Sequence, residues 1–192
     1  MNAEFSIALE IFKNYPLSRE EVMFINAQFE MVEVKKGDII LHPGMSAEYQ
    51  YYIYSGCLRS YFIDNYGKES TIQFAINDWW ISDYTSFFTT EKSVMCIDCI
   101  RDAQIYKISK SDTKILYRTI PKVESFFRIK LEKAFANFQK RILEHLTLSA
   151  KDRYIKFITN YPDIEQQVKN YHIASYLGIT NESLSRIRKS NS

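Results

Sequence analysis

Glycine marks where a chain can take the positive-φ corners of tight turns, and here its placement divides the sequence into three textures. Of five glycines, four stand at positions 37, 44, 56 and 67 and the fifth at 178. Around the first four lie short runs rich in β-branched and aromatic residues. These are Met31-Val32-Glu33-Val34, Asp38-Ile39-Ile40-Leu41, Tyr51-Tyr52-Ile53-Tyr54, Leu58 to Ile63, Ser70 to Phe74 and, further on, Ile105 to Ile108. Strand-like runs punctuated by Lys36-Gly37-Asp38, Pro43-Gly44, Ser55-Gly56 and Tyr66-Gly67 predict an antiparallel roll with hairpin turns. A short helical lead precedes it, with a capping box at Ser18 and Glu21.

The texture changes at Ser109-Lys110-Ser111-Asp112, a second capping-box pattern. Pro121 suits the first turn of a helix, and between it and His145 there is no glycine and no further proline. Leu131, Phe135, Phe138, Ile142 and Leu146 follow at spacings of four, three, four and four, one apolar stripe on a long helix. The stripe can pack on the roll or on a second copy; its seam-like spacing favours a dimerisation helix. Ser149-Ala150-Lys151-Asp152 opens a further helix carrying Tyr154, Ile155, Phe157 and Ile158, and Asn160-Tyr161-Pro162-Asp163 breaks it. The expected fold class is α+β. It has an N-terminal sensor domain at 1–118 built as an antiparallel β-roll (a double-stranded β-helix), a dimerisation helix at 119–147, and a small helix-turn-helix domain at 148–192.

The stretch 171–189 carries the chemistry. Ile173, Ala174 and Leu177 form the apolar face of a short helix. Gly178 permits the left-handed residue that ends it, and Thr180 is a sound N-cap for a second helix. Leu184 and Ile187 face back onto the first helix, which leaves Glu182, Ser185, Arg186 and Lys189 on the outer face. In a DNA major groove Arg186 can donate two bonds to a guanine edge and Glu182 can accept from a cytosine amino group. Asn181, Ser183 and Arg188 lie to the sides, where contacts suit phosphate, and Thr180 at the helix start is counted with them as DNA-binding. Charge agrees: from Leu146 onward there are seven basic and four acidic residues, against a formal net charge of +2 for the chain.

With 46% apolar residues the 192-residue chain can bury a core without disulfides. No run of apolar residues is long enough for a transmembrane helix. Met1-Asn2-Ala3-Glu4 lacks the features of a signal peptide, so a cytoplasmic location is expected. The three cysteines, Cys57, Cys96 and Cys99, read as free thiols. The C-x-x-C spacing of Cys96 and Cys99 falls on a strand, where residues three apart face opposite sides, and no second pair completes a metal site. His42, His145 and His172 show no metal-ligand spacing, so neither a metal cofactor nor a catalytic residue is expected. That weakens a β-roll enzyme as an alternative.

Taken over nearly its full length, the chain resembles the Crp/Fnr-type transcription regulators. The landmarks are Lys36-Gly37-Asp38, Tyr52-Ile53-Tyr54-Ser55-Gly56, Tyr66-Gly67-Lys68-Glu69 and Thr180 to Ile187. The resemblance implies a cyclic-nucleotide-binding-like roll, a homodimer, a pseudo-palindromic double-stranded DNA operator and, if the protein activates, RNA polymerase as a further partner. The family's Arg-Glu-x-x-x-Arg reading set matches Asn181, Glu182 and Arg186, with the first arginine replaced. The chain ends soon after the second helix and 160–170 is short, so the wing is expected to be reduced. The family's cyclic-nucleotide pocket maps onto Ser82, Asp83, Lys92 and Ser93. Serine stands there for glycine and lysine for arginine, which removes the planar fork that clamps a phosphate. The effector is therefore expected to be something other than cyclic AMP, or absent. The competing reading is a ligand-sensing or protein-interaction roll with weak or lost DNA binding.

Overall fold

A computed structural model describes residues 5–190. The reading of Met1-Asn2-Ala3-Glu4 as leaderless lies outside the described residues. Two short helices, α1 (Ile7–Ile11) and α2 (Arg19–Asn26), lead into six strands: β1 (Glu30–Val34), β2 (Ile39–Leu41), β3 (Tyr49–Ile63), β4 (Glu69–Ala75), β5 (Trp80–Ile81) and β6 (Met95–Ser109), with α3 (Tyr84–Phe88) before the last. The capping box on α2 forms in full: Glu21 N–H donates to Ser18 Oγ at 3.2 Å and Ser18 N–H donates to Glu21 Oε2 at 2.7 Å.

All strand pairs are antiparallel, in the order β1-β6-β3-β4, with β2 on β6 and β5 on β3. The two 15-residue strands β3 and β6 pair along almost their whole length, from Tyr49 opposite Ser109 to Phe62 opposite Met95. Register shifts between Ile53 and Leu58 bend this ribbon. Its two halves, each flanked by its own short strands, enclose a core of Val34, Leu41, Ile53, Leu58, Ile97 and Ile105.

One expectation is corrected here. Ser55-Gly56 is not a turn between two strands, because β3 runs straight through it. Gly56 has φ 93°, and a Cβ there would lie 2.4 Å from the Ala103 Cα and the Asp102 carbonyl oxygen. Glycine is needed because the two long strands approach too closely for a side chain.

Helix α4 (Lys110–Thr119) follows, capped by Ser109, and α5 (Pro121–Thr147) starts at its proline. Val123, Phe126 and Phe127 anchor the start of α5 in a second core with Ile7, Phe12, Ile25 and Leu116. Beyond that, the apolar stripe is uncovered: Phe135, Ile142 and Leu146 are exposed, Phe138 is 38% exposed and Leu131 is half-buried. Four helices complete the described chain: α6 (Ala150–Asn160), α7 (Pro162–Gln167), α8 (Asn170–Leu177) and α9 (Asn181–Lys189). Helix α7 occupies the segment expected to hold the remnant of a wing. Among the described residues no strand follows β6. No helix among them is long and apolar enough to cross a membrane.

The Gly56 contact predicts a large asymmetry between two glycines of similar φ. Gly67→Ala meets open space and should cost about 1–2 kcal/mol from its backbone alone. Gly56→Ala must also push β6 away and should cost about 3 kcal/mol or more. Urea unfolding of both variants checks this; equal losses would contradict the close approach.

Candidate nucleic-acid interface and effector pocket

The C-terminal helices form around Tyr154 and Phe157 of α6, Ile164 of α7, Ile173, Ala174 and Leu177 of α8 and Leu184 of α9. Gly178 ends α8 in the left-handed conformation at φ 67°. Thr180 then caps α9, its Oγ1 accepting from Ser183 N–H at 3.2 Å. Leu184 is fully buried and Ile187 partly so, which fixes the rotation of α9. Asn181, Glu182, Ser185, Arg186 and Lys189 are exposed in consequence, and Ser183 is half-buried. Arg186 Nη2 lies 3.3 Å from Ser183 Oγ. The Glu182 carboxyl is held below the usual range by its own backbone N–H and by the Thr180 hydroxyl, so it stays ionised as an acceptor.

Arg188 departs from its expected place beside the groove. Its Nη2 pairs with Glu165 at 2.6 Å, its Nη1 donates to Asn170 Oδ1 at 2.6 Å and its Nε donates to the Tyr154 hydroxyl at 3.1 Å. The guanidinium ties α9 to α6, α7 and α8. Sequence spacing could not show this, because Tyr154, Glu165 and Asn170 come together only once α7 turns back.

The same helical unit is docked on the roll. Ser175 Oγ donates to the Glu69 carbonyl at 2.8 Å and accepts from Thr71 N–H at 2.8 Å, so α8 satisfies backbone groups of β4, the end strand of the sheet. Arg141 Nη1 donates to the Ile72 carbonyl. Beside them His172 Nδ1 is 2.6 Å from Nη1 of Arg59 on β3. Arg59 is 2% exposed; it takes Asp98 by two bonds of 3.1 and 2.8 Å and Glu69 by one of 2.7 Å. A guanidinium has only donors, so the His172 nitrogen facing it must be the unprotonated acceptor. Burial, then Arg59, then Lys169 push the imidazole down to about 4. Sequence reading missed this cluster; its one visible sign was an arginine inside an apolar strand run.

In the candidate effector pocket the structure brings Asp83 and Ser93 into contact, while Ser82 and Lys92 bond elsewhere. Asp83 caps α3, accepting from Thr85 and Ser86 N–H at 3.0 and 3.3 Å, and takes the Ser93 hydroxyl at 2.7 Å. Ser82 Oγ donates to the Tyr49 carbonyl at 2.8 Å. Lys92 stands apart, exposed, with Nζ 2.9 Å from Ser46 Oγ. Asp83 is 1% exposed and both its oxygens are engaged within the roll. All three cysteines are free and buried, and burial raises each thiol, Cys57 to about 12 and Cys99 to about 11. Among the described residues no cluster of His, Cys, Asp and Glu could hold a metal.

This geometry has counterparts among known proteins. Residues 31–119 match the cyclic nucleotide-binding domain family. CLP from Xanthomonas campestris, described as a c-di-GMP-responsive global regulator, superposes with a TM-score of 0.73 at 14% identity over 90% of this chain and 91% of its own. A Crp/Fnr-family transcriptional regulator from Eubacterium rectale gives 0.71 at 19% identity over 93% and 87%. FixK2 from Bradyrhizobium japonicum gives 0.68 at 19% identity over 84% and 83%. The chain has the Crp/Fnr fold. No curated protein matches it by sequence. The Crp/Fnr fold here includes both the roll and the helix-turn-helix, since the superpositions span most of the chain. The structures it resembles are those of transcription regulators.

The docked His172 makes the fold sensitive to acid. The folded imidazole titrates near 4 and the unfolded one near its ordinary 6.5, so below 6.5 the unfolded chain takes up a proton that the folded chain refuses. Stability from this group is complete above about pH 6.5 and is lost as the pH falls towards 4. His172→Asn, whose amide oxygen can accept from Arg59 without titrating, should lose less melting temperature between pH 7 and pH 5 than the wild type does. Identical losses would show that His172 is not the group responsible.

Proposed function

We propose that this chain is a homodimeric, sequence-specific DNA-binding regulator that reads the major groove with α9 and pairs through α5. The observation that carries the reading is the outer face of α9. Glu182, Ser185, Arg186 and Lys189 are exposed on a helix whose other face is fixed by the buried Leu184, behind a Gly178 turn. Thr180, Asn181 and Ser183 at the helix start are placed for phosphate contacts. The uncovered stripe of Phe135, Phe138 and Ile142, with Leu131 at its head, supports pairing of two α5 helices. A two-fold dimer presents two reading helices to a pseudo-palindrome. On this reading the chain divides into a sensor at 1–118, a pairing helix at 119–147 and a DNA-reading unit at 148–192. The effector is not cyclic AMP, because the Asp83 carboxylate that a ribose would need is already enclosed by α3 and Ser93. A roll that has lost DNA binding is the second reading, favoured by one observation: among the described residues no strand follows β6 that could serve as a wing, and α7 fills the segment before the helix-turn-helix.

Two measurements check the proposal. Arg186→Ala should cost about 1–3 kcal/mol at one base pair of each half-site, so specific binding falls steeply and non-specific binding only slightly. Lys189→Ala, if its ammonium meets phosphate, should weaken binding on all sequences and flatten the log K against log salt slope by about one unit per contact. Arg188→Ala should act through lower thermal stability and leave that slope unchanged. Equal weakening of selected and random DNA by Arg186→Ala would remove Arg186 as a base reader. In sedimentation at micromolar concentration the wild type should be a dimer; a monomer in the presence of DNA would contradict the pairing helix.

A further inference from the structure

Between the roll, α5 and the DNA-reading unit lies a cavity of about 590 Å³, a volume in the range of small-molecule sites. None of Ser82, Asp83, Lys92 and Ser93 lines it, so it is separate from the enclosed cyclic-nucleotide-like site. We propose that it is a binding site for a small organic acid with a planar, apolar body.

Its walls are aromatic on three sides: Trp79 and Trp80 from the roll, Phe127 and Phe138 from α5, and Tyr161 and Tyr176 from the C-terminal helices. Such rings accept a flat conjugated body by stacking or edge contact. Its charge is one-sided. Lys130, Lys133, Lys140, Arg141 and Arg153 line it, and none has a carboxylate partner among the described residues. The two acids present are already paired, Glu144 with Lys156 at 2.9 Å and Asp78 with Lys13 at 3.6 Å. Two of these lining residues carry a donor shut away from solvent with no acceptor: Trp80 Nε1 and Arg153 Nε. Buried N–H groups are seldom left without a partner, and both are donors, so the group that completes them must supply acceptor oxygens. Aromatic walls, surplus cations and orphaned donors specify an anion on an apolar frame.

A second copy of α5 is the competing occupant. Leu131, Phe135 and Phe138 of the pairing stripe also edge the opening, but a second α5 brings further lysines there, whereas an anion supplies the acceptors that Trp80 Nε1 and Arg153 Nε lack. The proposal does not depend on DNA reading, and its test involves no DNA.

The probe is 1-anilinonaphthalene-8-sulfonate, with N-phenyl-1-naphthylamine as the same ring system lacking the sulfonate. Both tryptophans of the chain line the cavity, so energy transfer from tryptophan to dye reports its occupation. With the full-length protein the sulfonate dye should bind at one per chain, quench tryptophan emission in step, and bind at least fivefold tighter than the neutral dye. Lys130→Gln with Lys140→Gln, both exposed and harmless to folding, should weaken the sulfonate dye at least threefold while leaving the neutral dye and the melting temperature unchanged. Ile142→Ser with Leu146→Ser, on the uncovered stripe outside the cavity, should leave binding intact. Equal affinity of the two dyes would overturn the proposal. So would loss of binding in the stripe variant, which would place the dye on the pairing seam, or no change in the lysine variant.

Discussion

Four elements of this protein meet on one guanidinium. Arg59 on β3 stands opposite Asp98 on β6 in the strand register, so the pairing that builds the roll also delivers the carboxylate that receives it. Glu69 at the start of β4 closes a second side, His172 of α8 a third, and the Tyr61 ring lies 3.9 Å from the charge. A charge this deeply buried costs several kcal/mol unless every donor is met, and removing one partner of such a pair typically costs about 3–5 kcal/mol. The position of the C-terminal helical unit is therefore tied to the roll's own strand register. Ser175 adds to this by bonding backbone groups of β4 that would otherwise remain an open sheet edge.

The alternating texture, the turn at Gly67, the proline that starts α5 and the helix–glycine–helix at the C-terminus were legible in the sequence because each rests on local chemistry. The fold follows them closely; the capping box closes in full at Ser18, while at Ser109 and Ser149 the serine caps its helix and the aspartate takes the serine hydroxyl instead. What was not legible depends on contacts far apart in the chain. Gly56 reads as a turn residue, yet its role is set by Ala103 on a strand that no local rule places beside it. Helix α7 was hidden in a segment of six residues beginning at Pro162, too short for a periodic signal. Arg188 and His172 looked like a surface cation and an isolated histidine, and their partners become visible only when the helices are packed.

The effector question turns on the same distinction. Asp83 and Ser93 do converge, but on one another and on the N-terminus of α3, and Ser82 is turned to the Tyr49 carbonyl. Their polar groups are consumed in holding the loop. The open volume lies instead where three parts of the chain abut, with Arg141 reaching from α5 to β4 and stacked 4.7 Å from the Tyr176 ring of α8. An occupant there would touch the roll, α5 and the C-terminal helices at once, so on the proposed reading the geometry offers a direct route from binding to the placement of α9.

The central claim is that α9, carried on a two-fold dimer, reads a defined DNA sequence. Selection of bound fragments from sheared genomic DNA by the purified full-length protein tests it most directly. The account predicts enrichment of fragments sharing an inverted repeat, with half-site centres about one helical turn, or about 10 base pairs, apart. Recovery of fragments with no common sequence, in proportion only to their length, would contradict it.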